Sequence, residues 1–283
     1  MTPTALLRPS PIAGVWYDDD PHQLAHQIDA YLEQASLRVI TGEVIAIIVP
    51  HAGHIYSGRT AAHAFKCLTG RQFDLVVIVS PMHPYHPAAL ITSAHAGYET
   101  PLGPVWIDRE AVQQVSHELK RTDNAGLASI ANDQEHSLEI QLPFLQRTLQ
   151  PGFKLLPIMI RSQSRDLANA LGSALASVTK PRNALLIASS DLSHFYPLTV
   201  ANRLDREMLQ QITSLSPEGV LKTEQAGKGF ACGAAAIAAV LWAALASAAN
   251  QAEIVHYSTS AEETGDLHSV VGYGAAVIYR QIP

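Results

Sequence analysis

Five apolar runs of strand length, each too continuous to be half exposed, restrict the fold of this chain more than any other feature. They occupy residues 44–49, 75–80, 155–160, 184–189 and 270–278. A strand with one wet face alternates apolar and polar residues, whereas an unbroken apolar run suits a sheet covered on both faces. Helical periodicity fills the intervals, at residues 21–34, 57–68, 109–120, 138–149, 166–178, 200–212 and 231–249. The first of these places Leu24, Ile28 and Leu32 on one face. Residues 88–93 and 105–108 read as shorter extra strands. Strands alternating with helices predict a layered α/β sandwich around a mixed, largely parallel central sheet. No Ser/Gly/Pro-rich linker interrupts the pattern, so one domain over residues 1–283 is expected.

Three of the runs end alike. VIAIIVP leads into His51-Ala52-Gly53, LVVIVSP into Met82-His83, and ALLIASS into Asp191-Leu192-Ser193-His194. Open α/β sheets bind ligands in the crevice beyond the carboxyl ends of their strands. If these three strands are parallel neighbours, His51, His83, Asp191 and His194 gather in one pocket. Converging imidazoles suit zinc, copper or iron, and two His with one anionic ligand leave positions open for substrate or O₂. The anion is either Asp191 or Cys232. Cys232 sits in the turn that opens the Ala-rich helix, where the dipole would lower a thiol pKa. From position alone, however, it reads as a small buried hydrophobe.

Other polar residues have plainer readings. Glu135-His136-Ser137-Leu138-Glu139, with Asp133 before it, either caps a helix or orients metal ligands. The Gly-rich piece from His51 to Gly58 is neither GxGxxG nor a P-loop; Ser57 caps the next helix and Tyr56 offers a hydroxyl to the pocket. His22, His26, His95 and His117 fall on expected surfaces. His63 and Cys67, four apart, form a packed helix face with no third partner nearby in sequence. His54 and His86 flank the site motifs, and His256 and His268 flank the last loop, with no role assigned.

Composition excludes several classes. Hydrophobic residues make up 47% and charged residues 16%, enough for a large core. The net charge of −6, with no Lys/Arg run, lacks the electrostatic footprint of a nucleic-acid binder. The uncharged stretch 231–249 has bilayer-spanning length but is mostly Ala, and reads as a buried helix. Two cysteines and no signal-peptide pattern predict a cytoplasmic protein without disulfides.

Together the motifs resemble the Memo family, whose fold is similar to that of LigB-type class III extradiol dioxygenases. Ala13-Gly14-Val15-Trp16-Tyr17 is similar to the family's AG-x-WY element, and His51-Ala52-Gly53 with Tyr56-Ser57-Gly58 to HAGYxYSG. Ser80-Pro81-Met82-His83 is similar to GPxH, Glu135 to Leu145 to EHSLExQLPFL, Ser189 to His194 to SSDxSH, and Ala231-Cys232-Gly233 to the CG element. The resemblance covers nearly the whole chain. It implies a metal vestibule of His51, His83 and Cys232 holding Fe(II) or copper. Asp191 and His194 would be catalytic, His194 as general base and Asp191 orienting it or a metal-bound water. Trp16, Tyr56, Glu135 and His136 would orient ligands or line the pocket. Three departures stand out: His54 replaces a usual Tyr, Met82 a small polar residue, and Ala a usual Pro after Cys232-Gly233. The implied activity is that of a non-heme iron or copper oxidoreductase. The alternative is a metal- or peptide-binding protein without turnover, working with an AMMECR-type protein and a radical SAM enzyme. A metal-free reaction with Cys232 as nucleophile and His194 as base ranks last.

Overall fold

The computed structural model describes residues 6–123 and 125–281. Its strands are β1 (Leu7–Arg8), β2 (Glu43–Val49), β3 (Leu75–Pro81), β4 (Leu90–Ser93), β5 (Gly97–Tyr98), β6 (Val105–Trp106), β7 (Leu127–Ile130), β8 (Lys154–Ile160), β9 (Ala184–Ser189), β10 (His194–Tyr196), β11 (Gln251–Thr259) and β12 (Val270–Arg280). The helices are α1 (Pro21–Gln34), α2 (His54–Lys66), α3 (Arg109–Asp123), α4 (Leu142–Thr148), α5 (Arg165–Thr179), α6 (Leu198–Thr213), α7 (Pro217–Gln225), α8 (Ala234–Ala246) and α9 (Ala261–Thr264). All five long apolar runs are strands. The sequence reading lacked α7, β11, β7 and β10, whose residues are more polar or too few to show a period.

The large sheet runs β10-β12-β2-β9-β3-β8-β4-β7, with β11 paired on β12. Its centre, β2-β9-β3-β8, is parallel; β12 and β4 join antiparallel. The fold is thus the layered α/β arrangement around a mixed sheet that the sequence predicts. The three strands that end in His51, His83 and Asp191 are adjacent and parallel, Val49 lying opposite Ser189 and Val79 opposite Ala188. A small sheet, β1-β5-β6, holds the N-terminal segment.

Successive strand residues feed opposite cores, as the two-residue pleat requires. On β3, Leu75, Val77 and Val79 face α3, α5 and α8, while Val76 and Ile78 face α1, α2 and α4. This is why the runs are apolar throughout. The Ala-rich segment is a buried 13-residue helix, and among the described residues no helix is long and apolar enough to cross a membrane. Its small side chains permit close packing: a Cβ on Gly172 of α5 would stand 2.6 Å from Trp242 Cβ and 2.8 Å from the Ala239 carbonyl oxygen of α8.

Some local expectations change. Helix 138–149 splits into a 3₁₀ turn, Glu139–Gln141, and α4. Helix α2 starts at His54 rather than Ser57, so Ser57 is no cap; its hydroxyl donates to the Ala52 carbonyl at 2.8 Å. His95, expected on the surface, is buried, its ring Nε2 accepting from the Asn132 backbone N–H at 3.1 Å. His63 and Cys67 do gain a neighbour that sequence distance hides: the His256 ring from β11 stacks on His63 at 4.1 Å between centroids.

Candidate metal and ligand site

Each imidazole at the strand ends has its Nδ1 committed. Ser189 gives its single hydroxyl proton to the Ser137 carbonyl at 2.6 Å, so its oxygen accepts from His51 Nδ1–H at 3.0 Å. Gln141 Nε2 donates to the same oxygen at 2.9 Å and to the Pro50 carbonyl at 2.9 Å, tying β2 to β9. His83 Nδ1–H donates to Glu135 Oε1 at 2.9 Å. His194 Nδ1 lies 2.8 Å from the Leu192 carbonyl, which can only accept. In its neutral form each of the three side chains therefore carries the ring lone pair on Nε2.

Glu135, fully buried, holds the neighbourhood together. Its carboxylate also accepts the backbone N–H groups of His83 at 2.5 Å and of His136 and Ser137 at 2.9 Å each. Burial alone would raise its pKa, but His83 and these N–H groups overcome that and hold it down at about 2. For His83 burial lowers the pKa, and the hydrogen bond and charge of Glu135 outweigh it, leaving it raised. Burial, with His83 beside it, pushes His51 down to about 3; burial and His51 bring His136 to about 4. Ligand atoms of His51, His83 and His136 all lie within 4.8 Å of one another. His136 therefore stands with the strand-end pair, its ring 4.8 Å from that of His83, and Trp16 covers it at 4.0 Å.

Cys232 Sγ lies 3.1 Å from His51 Nε2 and accepts the Asp191 backbone N–H at 3.2 Å. Gly233 makes this approach possible: a Cβ there would sit 2.5 Å from the Ser189 carbonyl oxygen. The expected lowering of the thiol pKa at the start of α8 is overturned, because burial, then the Asp191 charge, pushes it up. Asp191 Oδ1 accepts the backbone N–H groups of His51 at 2.6 Å and Ala52 at 3.3 Å, so this carboxylate fixes the β2 turn rather than the ring of His194. Burial raises the Asp191 pKa against those bonds.

A pocket of about 600 Å³ opens over these groups. Trp16, His51, Tyr56, His83, Asp191 and His194 line it, and so does His136. Sequence reasoning did not single out Phe195, Tyr273 or the hydroxyls of the loop after β11, which also line it. Nor did it see Arg8. This buried guanidinium donates to Asp133 Oδ1 at 2.7 Å, to the Glu135 carbonyl at 2.6 Å and to Glu139. It thereby anchors the Glu135–His136 loop to β1. The one available signal was a charge isolated in an apolar N-terminal stretch.

Comparisons with known proteins match this chain over nearly its whole length. The family model described as "Memo: Memo-like protein" matches residues 8–277. A MEMO1 family protein of Nitrosopumilus maritimus is 32% identical over 274 residues, covering 95% of this chain and 98% of the relative. One from Methanococcoides burtonii is 34% identical over 274 residues, covering 96% and 100%. Among solved structures, the uncharacterized protein JW3007 of Escherichia coli K12 superposes with a TM-score of 0.52 at 14% identity, over 83% of this chain and 100% of that one. That likeness is one of fold.

Proposed function

The chain belongs to the Memo-like family, and from that premise we propose that its strand-end pocket binds a redox-active transition metal, Fe(II) or copper, for an oxidoreductase reaction of the extradiol-dioxygenase type. The observation that carries this reading is the convergence of His51, His83 and His136 within 4.8 Å, with the Nδ1 atoms of His51 and His83 committed to Ser189 and Glu135 so that Nε2 of each is left for a metal. His51, His83 and Cys232 would hold the ion; the donor atoms that converge within 4.8 Å are those of His51, His83 and His136, while Cys232 reaches the group through His51 Nε2 at 3.1 Å. The donor set fits at the three imidazoles, whose ligand atoms converge; a bound cation would also supply the charge that a half-buried Cys232 thiolate beside Asp191 otherwise lacks. Bound there, the ion would supply dioxygen activation or electron transfer, the thiolate shifting preference toward Cu(I) or altering the iron potential.

The protein's own groups do the rest. Glu135 and Ser189 set the tautomers of His83 and His51. Asp191 locks the His51–Ala52 turn. His194, which lines the pocket with its Nδ1 held by the Leu192 carbonyl, would take a proton from a bound hydroxyl through Nε2. Trp16 and Tyr56 add aromatic surface to the pocket wall. Two free cysteines suit the reducing cytoplasm to which we assign the protein.

Metal analysis of the purified protein, then of Cys232→Ala, tests the ligand set; stoichiometric iron or copper that falls in the variant is expected. Anaerobic Fe(II) loading followed by oxygen uptake with catechols tests the reaction, and uptake no faster than the blank would sink it. A second reading, a metal- or peptide-binding protein without turnover that works with an AMMECR-type protein and a radical SAM enzyme, draws on the exposed apolar rim of Val15, Ile55 and Phe195. Metal uptake without oxygen consumption would favour it.

A further inference from the structure

The end of the sheet opposite the strand-end pocket holds a second cavity, of about 570 Å³. It opens where β2, β3 and β9 begin, with Glu43, Phe73 and Ala184 in its wall. Four cations share that wall: Arg71 from the turn before β3, Lys180 and Arg182 from the turn before β9, and Arg280 from the last residue of β12. Glu43 is the one acid among the described lining residues, and it pairs with Arg280. This runs against the sign of the whole chain, whose net charge is −6. The turns that carry the cations are tied together. The Asp74 backbone N–H donates to the Asn183 carbonyl at 2.8 Å, and Asn183 Nδ2 donates to the Gln72 carbonyl at 2.8 Å.

Helix C-termini attract cations, and α5 and α8 end at this cavity, so part of the charge serves as caps. Arg182 caps α5, its Nη1 donating to the Val178 carbonyl at 2.5 Å, while its Nη2 goes to Gln114 Oε1 at 2.8 Å. Arg71 caps α2 through Nε, which donates to the Cys67 carbonyl at 3.2 Å. Helix α8 closes on itself, the Ala249 N–H donating to the Ala244 carbonyl at 2.9 Å. Capping bonds thus account for Arg182 and for one N–H of Arg71, and do not involve the Lys180 side chain. Both Nη groups of Arg71 and the Lys180 ammonium meet no acceptor among the described residues. Arg280 Nε is buried and likewise unpartnered. Cations gathered without counter-charge repel one another, and a bound anion removes that cost. Guanidinium forks match phosphate oxygens, and a lysine adds a point charge. The volume is that of a small-molecule site. Val44, Phe73 and Leu186 add apolar wall.

We propose that this cavity is a second ligand site, which binds a small, multiply charged phosphate anion through Arg71 and Lys180. It is independent of the strand-end pocket and of any metal bound there.

Calorimetric titration of the full-length protein at constant ionic strength tests this, with pyrophosphate, ADP and adenosine as probes. Pyrophosphate and ADP should bind, and adenosine should not. ADP binding tighter than pyrophosphate would assign an organic phosphate whose carbon part lies on the apolar wall. Equal affinities would assign the free inorganic anion; both results support the site. Lys180→Gln and Arg71→Gln should each weaken pyrophosphate binding about tenfold, the scale of one charge-assisted hydrogen bond. Lys180 is exposed and its side chain caps nothing, so that variant keeps the fold. A merely capping role predicts the reverse: a lower urea midpoint with unchanged anion affinity. A Kd weaker than about 1 mM for both anions, adenosine binding as tightly as ADP, or unchanged affinity in either variant would overturn the inference. The readout does not involve metal content or oxygen uptake, so failure of the preceding reading is measured separately.

Discussion

The His54 imidazole donates through Nε2 to the Ile140 carbonyl at 3.1 Å, while its buried Nδ1 meets no partner among the described residues. Burial, against that one bond, pushes its pKa from 6.5 down to about 4. Between those values the unfolded chain binds a proton that the folded chain refuses. Stability therefore falls as pH drops from about 6.5 to about 4 and levels off below, by roughly 3 kcal/mol for this one group. Urea unfolding at pH 7, 5.5 and 4 measures this, and His54→Gln, which keeps the donor to Ile140, should flatten the slope. An unchanged slope would refute the assignment. Glu135 is the second residue whose effect is definite. It orients His83 and holds three backbone N–H groups of the site. Glu135→Gln keeps the shape and removes the charge, so metal affinity measured against a competing chelator should fall about 10- to 100-fold. Affinity equal to wild type would mean that His83 is not a ligand.

At the scale of elements, two close approaches govern the site. Gly233 lets the start of α8 meet the end of β9, which is how a cysteine distant in sequence reaches His51. Gly172 lets α5 lie against α8 on the opposite core. In Gly172→Ala the added methyl meets backbone and a Cβ, neither of which swings away, so a loss of about 1–3 kcal/mol is expected from chemical denaturation. Gly233→Ala should lose metal content as well as stability, because it displaces Cys232. Metal content retained at wild-type level would show that the CG turn does not place the thiol.

For the whole molecule, a metal that binds only the folded state couples site to stability. Near a hundredfold excess over Kd it contributes about 2.7 kcal/mol, raising Tm by several degrees in a chain of this size. A chelator should reverse the shift, and His51→Ala should abolish it. A Tm indifferent to Fe(II), copper and chelator alike would remove the metal from the account. The same scale explains what the fold gives the site. Four parallel central strands all point their carboxyl ends one way, so turns far apart in sequence open into one crevice.

The sequence by itself determined the sheet's buried strands, their alternation with helices, the Ala-rich helix and the strand-end placement of His51, His83 and Asp191. These follow from local pattern: an apolar run specifies burial on both faces, and a polar residue just beyond it specifies an end. Only tertiary structure decided that His136 stands with His51 and His83, that Asp191 bonds a backbone turn rather than His194, and that Phe195 is turned out at a bulge. It also brought Arg8 beneath the Glu135 loop and His256 onto His63. Each of these depends on contacts between residues distant in the chain, where desolvation and hydrogen-bond partners, not residue type, fix both the tautomer and the charge.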